Sequence, residues 1–234
     1  MNNVSQGYAN DFFGRKRLSD SPYVHWIWMG VALRDGTQIS AADGNLDFTI
    51  VRRNGASTFL ISGPTSKART VSYLAGDEVF NIRLRPGVRW TATTAKQMVD
   101  ADIYLSHASQ QAFWFGTDVI TAPNFNNAET CIDTLMAKGI LEADAVVGQA
   151  LSGPIRGHSL RSVQQHFSHT VGLSRKYLSQ IQRAEKASQL LQQGASIISV
   201  AHEVGFTDQS HMSNSLRYFT GATPRQHTKI SQDW

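Results

Sequence analysis

Apolar and polar positions alternate through much of the first part of the chain. In LDFTIVRR, Leu46, Phe48 and Ile50 share a face, and in VFNIRLRPG, Phe80, Ile82 and Leu84 oppose Asn81, Arg83 and Arg85. A period of two marks half-buried strands. Residues 23–31, YVHWIWMGV, add a run rich in aromatic and β-branched side chains. Asn54-Gly55 stands between two such runs, and both central positions of a type I′ hairpin turn need the positive φ that these residues tolerate. Residues 22–90 therefore read as an antiparallel sheet or small barrel.

After Thr91 the spacing moves towards 3.6. TAKQMVDADIYL and NNAETCIDTLMAKGIL read as helices, the latter with Ile132, Leu135 and Met136 on one side and Asn126 or Asn127 as N-cap. Helices are expected from there to the C-terminus. Ile197, Val200, Ala201 and Val204 form one short amphipathic helix, which Gly205 stops. Phe206 reads as a buried corner, Thr207 or Asp208 as the next cap, and Met212, Leu216 and Phe219 as the stripe of a second helix closed by Gly221 and Pro224. Two short helices joined by a glycine-containing turn outline a helix-turn-helix. The other face of the second helix carries Gln209, Ser210, His211, Ser213, Asn214 and Arg217. That is either a set of hydrogen-bonding groups for base edges or an ordinary solvated face.

An earlier unit has a related form. Ser159 can cap a helix with Leu160, Val163 and Phe167 inward and Arg161, Ser162, Gln164 and Gln165 outward, ending at Gly172. The intervening stretch, 174–194, has Leu178, Ile181, Ala184, Ala187, Leu190 and Leu191 as its apolar side. About 20 helical residues make a rod of roughly 30 Å. That approaches the roughly 34 Å between successive major-groove faces.

Charge sharpens this division. Residues 1–151 hold 13 Lys/Arg and 14 Asp/Glu, and residues 152–234 hold 9 and 4, a net of −1 against +5. Six of the eight histidines, at 158, 166, 169, 202, 211 and 227, also lie in the second part, where they are expected on the surface or facing a groove. A polyanion partner fits that part alone. With 41% hydrophobic and 17% charged residues among 234, the chain suits one large or two modest folded domains rather than disorder. Cys131, the only cysteine, cannot form an internal disulfide and reads as a small buried hydrophobe. The first part has only His25 and His107, too few for a metal-dependent cupin, and no catalytic motif stands out. No catalytic residue, metal ligand or cofactor is expected. The apolar run at 23–33 is too short to span a bilayer and the N-terminus lacks a secretory apolar core, so a cytoplasmic protein without membrane contact is expected.

The stretch RAEKASQLLQQGASIISVAHEVGFTDQSHMSNSLRYFTGATPRQ closely resembles the DNA-binding domain of AraC/XylS transcription regulators, which has two helix-turn-helix units joined by a central helix. The signature runs over 159–227 and includes Arg183, Ala187, Leu190-Leu191, Ile197, Ala201, Gly205-Phe206, Asp208-Gln209-Ser210-His211, Phe219-Thr220-Gly221 and Thr223-Pro224. The resemblance implies double-stranded DNA as partner. Base-edge contacts would come from Arg161, Gln164 and Gln165 in the first unit and from Gln209, Ser210, His211 and Asn214 in the second. Arg175, Lys176, Arg217 and Arg225 are placed for phosphate. Many relatives have Arg where Asn214 stands, and SGPIRGHS replaces a tight turn in the first unit.

The first half, through RLRPG at 83–87, more loosely resembles the cupin-like regulatory domains of that family, which implies a small-molecule effector, a homodimer, or both. Tyr23, His25, Trp26 and Trp28, with Arg83, either line an effector pocket or fill the sheet. The expected architecture is α+β, with a β-barrel or cupin-like sensory or dimerisation domain at 1–124 and an all-α double helix-turn-helix reader at 125–234. Effector or partner binding would alter how readers meet operator DNA and so recruit or exclude RNA polymerase. Two alternatives stay open: a cupin-type metal-dependent enzyme with a helical assembly domain, and a ligand-independent architectural DNA binder.

Overall fold

The structure, a computed structural model, describes residues 11–230 apart from 110 and 154–156. The first ten residues and part of the expected SGPIRGHS linker lie outside the described residues. The chain forms strands β1 (Phe12–Leu18), β2 (Val24–Ala32), β3 (Gly36–Ser40), β4 (Asp47–Arg53), β5 (Ala56–Ser62), β6 (Arg69–Tyr73), β7 (Glu78–Leu84) and β8 (Val88–Trp90). After the short helix α1 (Ala95–Met98) come β9 (Asp102–Leu105), β10 (His107–Ser109), β11 (Ala112–Phe115) and β12 (Asp118–Thr121). Helix α2 (Ala128–Ala137) and strand β13 (Leu141–Ala143) precede α3 (Ala145–Ser152), α4 (Leu160–Thr170), α5 (Arg175–Gln192), α6 (Ile197–Val204), α7 (Gln209–Thr220) and α8 (Pro224–Ile230).

The principal sheet is antiparallel with strand order β1-β2-β7-β4-β5-β9. Asn54 and Gly55 have φ of 51° and 78° and join β4 to β5 in the two-residue turn expected of them, with Arg53 opposite Ala56. Ile27, Phe48, Ile50, Phe59, Ile61, Ile82 and Leu84 are buried on one face of this sheet. A second sheet, β10-β11-β12, supplies Phe113, Phe115 and Ile120 to the same core, and α2 supplies Ile132 and Leu135. The core thus lies between the two sheets and α2. Phe113 sits among rings, with centroids 5.1 Å from both Phe48 and Phe59.

The expectation of a helix over TAKQMVDADIYL is corrected, whereas NNAETCIDTLMAKGIL does form α2. Helix α1 lasts four residues, ended by extended Val99 and by Asp100 at φ 58°, and residues 102–121 return to strands. The strands are only three or four residues long, too short for alternation to stand out. Strand β1 extends the sheet before residue 22: Arg17 pairs with Glu129 at 2.7 Å, Arg15 lies over Phe125 and Lys16 over Trp26. The Arg17 guanidinium, aided by the Ser19 hydroxyl, holds the Glu129 carboxyl down at about 2. Asn127 is the N-cap of α2, but its Oδ1 accepts from Asn124 N–H instead of capping the helix.

Two compact units emerge. Among the described residues, the β-rich one contains those within 11–38, 45–64 and 72–173, including α1–α4. The helical one contains residues 39–44, 65–71 and 174–230. Its core is Leu178, Ile181, Ala184, Ala187 and Leu191 of α5 with Val200, Phe206, Met212, Leu216 and Phe219. Among the described residues no helix is long and apolar enough to cross a membrane.

Candidate nucleic-acid interface

In the helical unit, α6 begins under a Ser196 cap, whose hydroxyl accepts from Ser199 N–H, and ends at Gly205 with φ 78° and ψ 41°. That left-handed conformation suits glycine, and it lets Phe206 N–H donate to the Ala201 carbonyl at 2.9 Å while the Phe206 ring turns inward. Asp208 then caps α7, its Oδ1 accepting from His211 N–H at 2.7 Å. One side of α7 is sealed, with Met212 and Leu216 fully buried. Gln209, Ser210, His211, Asn214 and Arg217 are exposed on the other side. Ser213 is half-buried, and its hydroxyl donates to the Gln209 carbonyl within the helix.

His211 is oriented before any ligand arrives. Its Nδ1 lies 2.8 Å from the Thr207 hydroxyl and its ring stands edge-on to Phe206 at 5.3 Å. Nε2 is therefore the ring atom left for an outside partner. Beside it, a groove of about 230 Å³ between α5 and α7 is lined by Gln180, Arg183, Phe206, His211, Asn214, Ser215, Tyr218 and Phe219. Arg183 lies over the Phe206 ring at 5.7 Å. Gln180 and Arg183 thus adjoin two candidate base readers. The sequence reading gave them no contact role, because they belong to the spacer helix and only packing brings them alongside α7.

The first helix-turn-helix belongs to the β-rich unit. Ser159 caps α4 as expected, accepting from Ser162 N–H at 3.1 Å. Val163 and Phe167 are buried, and Arg161, Gln164 and Gln165 are exposed. Leu160 is a correction: it shares the Val163–Phe167 stripe but is 79% exposed, standing at the first helical position, where the stripe ends. Helix α3 docks on α4 through its own N-cap. Asp144 accepts from Val146 N–H and also meets His166 Nδ1 at 2.6 Å and the Thr170 hydroxyl at 3.0 Å. Burial pushes the Asp144 carboxyl up, but His166 and Thr170 together outweigh it and hold it below the ordinary aspartate value.

Of the candidate phosphate contacts, Lys176, Arg217 and Arg225 are exposed, and Arg175 is half-buried at the first position of α5. Pro224 opens α8 instead of merely closing α7, so Arg225 stands in the first turn of that last helix. His227 is a further correction: it is buried, with Nδ1 3.0 Å from the Ser188 hydroxyl and Nε2 2.8 Å from the Thr220 hydroxyl. Burial holds its pKa below the ordinary histidine value of 6.5. The folded protein then binds fewer protons at this site than the unfolded chain. Its contribution is intact above 6.5 and is lost as pH falls from there towards the folded-state pKa. Melting temperature measured between about pH 8 and pH 5 is expected to fall less steeply in His227→Gln than in the wild type.

The candidate effector residues separate. Trp26, Trp28 and Arg83 share a sheet face, as the pairing of Trp26 with Arg83 and of Trp28 with Asn81 requires. Lys16 Nζ and Arg83 Cζ lie 4.4 and 4.8 Å from the Trp26 ring centroid. Arg83 also makes a two-pronged bond to Asp47, at 2.7 and 2.9 Å. A β-bulge between Val24 and Trp26 changes the register, so Val24 enters the core and His25 is exposed, and Tyr23, ahead of the strand, packs against the same core. Sequence reading missed Asn81, whose Nδ2 donates to the Thr49 hydroxyl while its buried Oδ1 has no hydrogen-bond partner among the described residues. Arg85 instead ties the chain together, donating to the Ser19 and Ser21 carbonyls. Burial pushes the Cys131 thiol up to about 11, away from nucleophilic use. Among the described residues, no three His, Cys, Asp or Glu side chains gather where a metal could be held.

Residues 156–230 match the helix-turn-helix domain family. Similar solved structures include an apo ToxT variant and ToxT bound to unsaturated fatty acid, both from Vibrio cholerae strain SCE256, and ToxT from V. cholerae O395. Each is 10% identical; the TM-scores are 0.41, 0.40 and 0.41, over 92%, 92% and 89% of this chain and 99%, 98% and 97% of theirs. No curated protein matches the sequence.

Proposed function

We propose that residues 156–230, which match the helix-turn-helix domain family, are a reader of the AraC type and that the protein is a sequence-specific DNA-binding transcription regulator. The observation that carries the reading is α7 itself. One face is sealed into the core, its entry is fixed by Gly205 and Asp208, and Gln209, Ser210, His211 and Asn214 are left outward near its N-terminal end. In that position, Gln and Asn can form paired hydrogen bonds with adenine, and His can meet a guanine or adenine acceptor. Arg161, Gln164 and Gln165 on α4 supply the second set, and the signature 159–227 is the functional reader. Lys176, Arg217, Arg225 and Arg175 supply phosphate contacts that hold the register.

The β-rich region is assigned a sensory role. Trp26 and Trp28, buried on one sheet face, would form an aromatic wall, and the Asn81 Oδ1, without a hydrogen-bond partner among the described residues, would offer an acceptor to an effector that carries a donor group. Arg83 is engaged by Asp47, which disfavours it as the anchor of an acidic effector. Nothing in this function needs a catalytic step. Effector binding, or pairing with a second copy, would change how the reader is presented to the promoter and thereby RNA polymerase recruitment or exclusion.

Selection of bound duplexes from a random pool, followed by competition at fixed near-physiological salt, tests the reading. The selected duplex is expected to outcompete random duplex by roughly 10³-fold or more. Equal affinity for all duplexes would leave only an electrostatic binder.

A further inference from the structure

The last carbonyls of an α-helix have no partner within the helix and must find one elsewhere. In α7 the helix ends at Gly221, whose φ of 74° turns the chain away. The Arg217 carbonyl takes Gly221 N–H. The next two carbonyls are met by a distant part of the sequence: Ala68 N–H donates to Tyr218 at 3.0 Å and Ala42 N–H donates to Phe219 at 2.7 Å. These donors belong to residues 39–44 and 65–71, which fold with α5–α8 although the chain on either side of each segment belongs to the β-rich unit.

The two segments are tied together and to α5. Asp43 N–H donates to the Thr65 carbonyl at 3.1 Å, and the Thr65 hydroxyl, almost completely buried, donates to the Ala41 carbonyl at 3.3 Å. Tyr177 Oη donates to the Ser66 carbonyl at 2.9 Å. Gly44 backs onto α5 so closely that a Cβ there would lie 2.3 Å from Leu178 Cδ2, and a Cβ on Gly221 would lie 2.5 Å from Ile39 Cγ2.

We infer that residues 39–44 and 65–71 form a clasp that positions the second recognition helix, so that the DNA reader is completed by two segments from the sensory part of the chain. This rests on reading α7 as the reader. The clasp meets the last turn, whereas the candidate base readers occupy 209–214 and stay exposed; it holds the helix without covering its face. Residues 39–44 run into β3 and β4, and residues 65–71 follow β5 and run into β6. A displacement of those strands by an effector is therefore transmitted to α7 through the backbone.

Hydrogen exchange on the full chain tests this. In the wild type the amides of Ala42 and Ala68 are expected to be protected. Ala68→Pro removes one donor and is expected to speed exchange at 217–221 by about tenfold, leave β4 and β5 unchanged, and reduce preference for the selected duplex over random duplex. Tyr177→Phe deletes the hydroxyl that bonds the Ser66 carbonyl and, at 3.4 Å, the Tyr218 hydroxyl, with the backbone donors left in place; a rise of about threefold there is expected even if the proline variant does not fold. Unprotected amides at Ala42 and Ala68, or exchange at 217–221 that neither variant moves, would overturn the clasp. A wild type with no duplex preference would instead overturn the reading of α7, and with it the positioning role, while exchange still reported whether the segments hold the helix.

Discussion

Replacing Phe113 by alanine is expected to cost the β-rich unit about 3–5 kcal/mol. Its ring is fully buried and lies between Phe48 of β4 and Phe59 of β5, with Phe115 at 6.1 Å. Removing it strips one whole side from both neighbouring rings and leaves a void that strands on opposite sides of the core cannot both collapse into. A domain typically has about 5–15 kcal/mol in hand, so the loss is a large fraction of what keeps the unit folded. The adjacent Trp114 is the control, for it points outward from the same strand and is 42% exposed. Trp114→Ala is expected to change stability by less than about 1 kcal/mol. Urea melts of both variants check this, and a lower midpoint with an unchanged slope identifies a true stability loss. A cost below about 1.5 kcal/mol for Phe113→Ala would mean that β11 does not close the core.

What could be read in the sequence follows from how local each signal is. Helix α7 was legible almost residue by residue, because the left-handed Gly205, the Asp208 cap and the Met212–Leu216–Phe219 stripe all lie within one stretch of chain. The β4–β5 hairpin was legible for the same reason, through Asn54-Gly55. Strand β1 was not. Its Arg15, Lys16 and Arg17 look like a solvated charge run, and only packing shows that they lie over Phe125 and Trp26 and against Glu129. Strands β9–β12 fail as sequence signals because each is too short to establish a period, and β9 is held by pairing with β5, some 40 residues earlier. The buried His227 is similar: nothing near it in sequence announces Ser188, its partner on α5. For the candidate interface, side-chain identity and outward placement were legible, whereas Thr207 orienting His211 and Arg183 adjoining the groove depend on tertiary contacts.

Combining Gln209→Ala, His211→Ala and Asn214→Ala is expected to remove the second helix's share of specificity while leaving the protein folded. All three side chains are exposed, the Asp208 cap bonds to the backbone N–H of residue 211 and survives the change, and alanine favours helix. Each base-reading contact is worth about 1–3 kcal/mol of discrimination, so three lost together predict a fall of roughly 10³-fold or more in affinity for the selected duplex. Random-duplex affinity is expected to hold, because it depends on cations such as Lys176, Arg217 and Arg225. Arg225→Ala supplies the opposite pattern: a uniform weakening on every duplex and a salt dependence shallower by about one counterion. Measured side by side at one salt concentration, the two variants separate reading from holding. If the triple variant keeps its full preference, α7 does not read bases, and the discrimination has to come from Arg161, Gln164 and Gln165 on α4. If both variants weaken all duplexes alike, the α7 side chains hold the duplex as Arg225 does and read none of its bases.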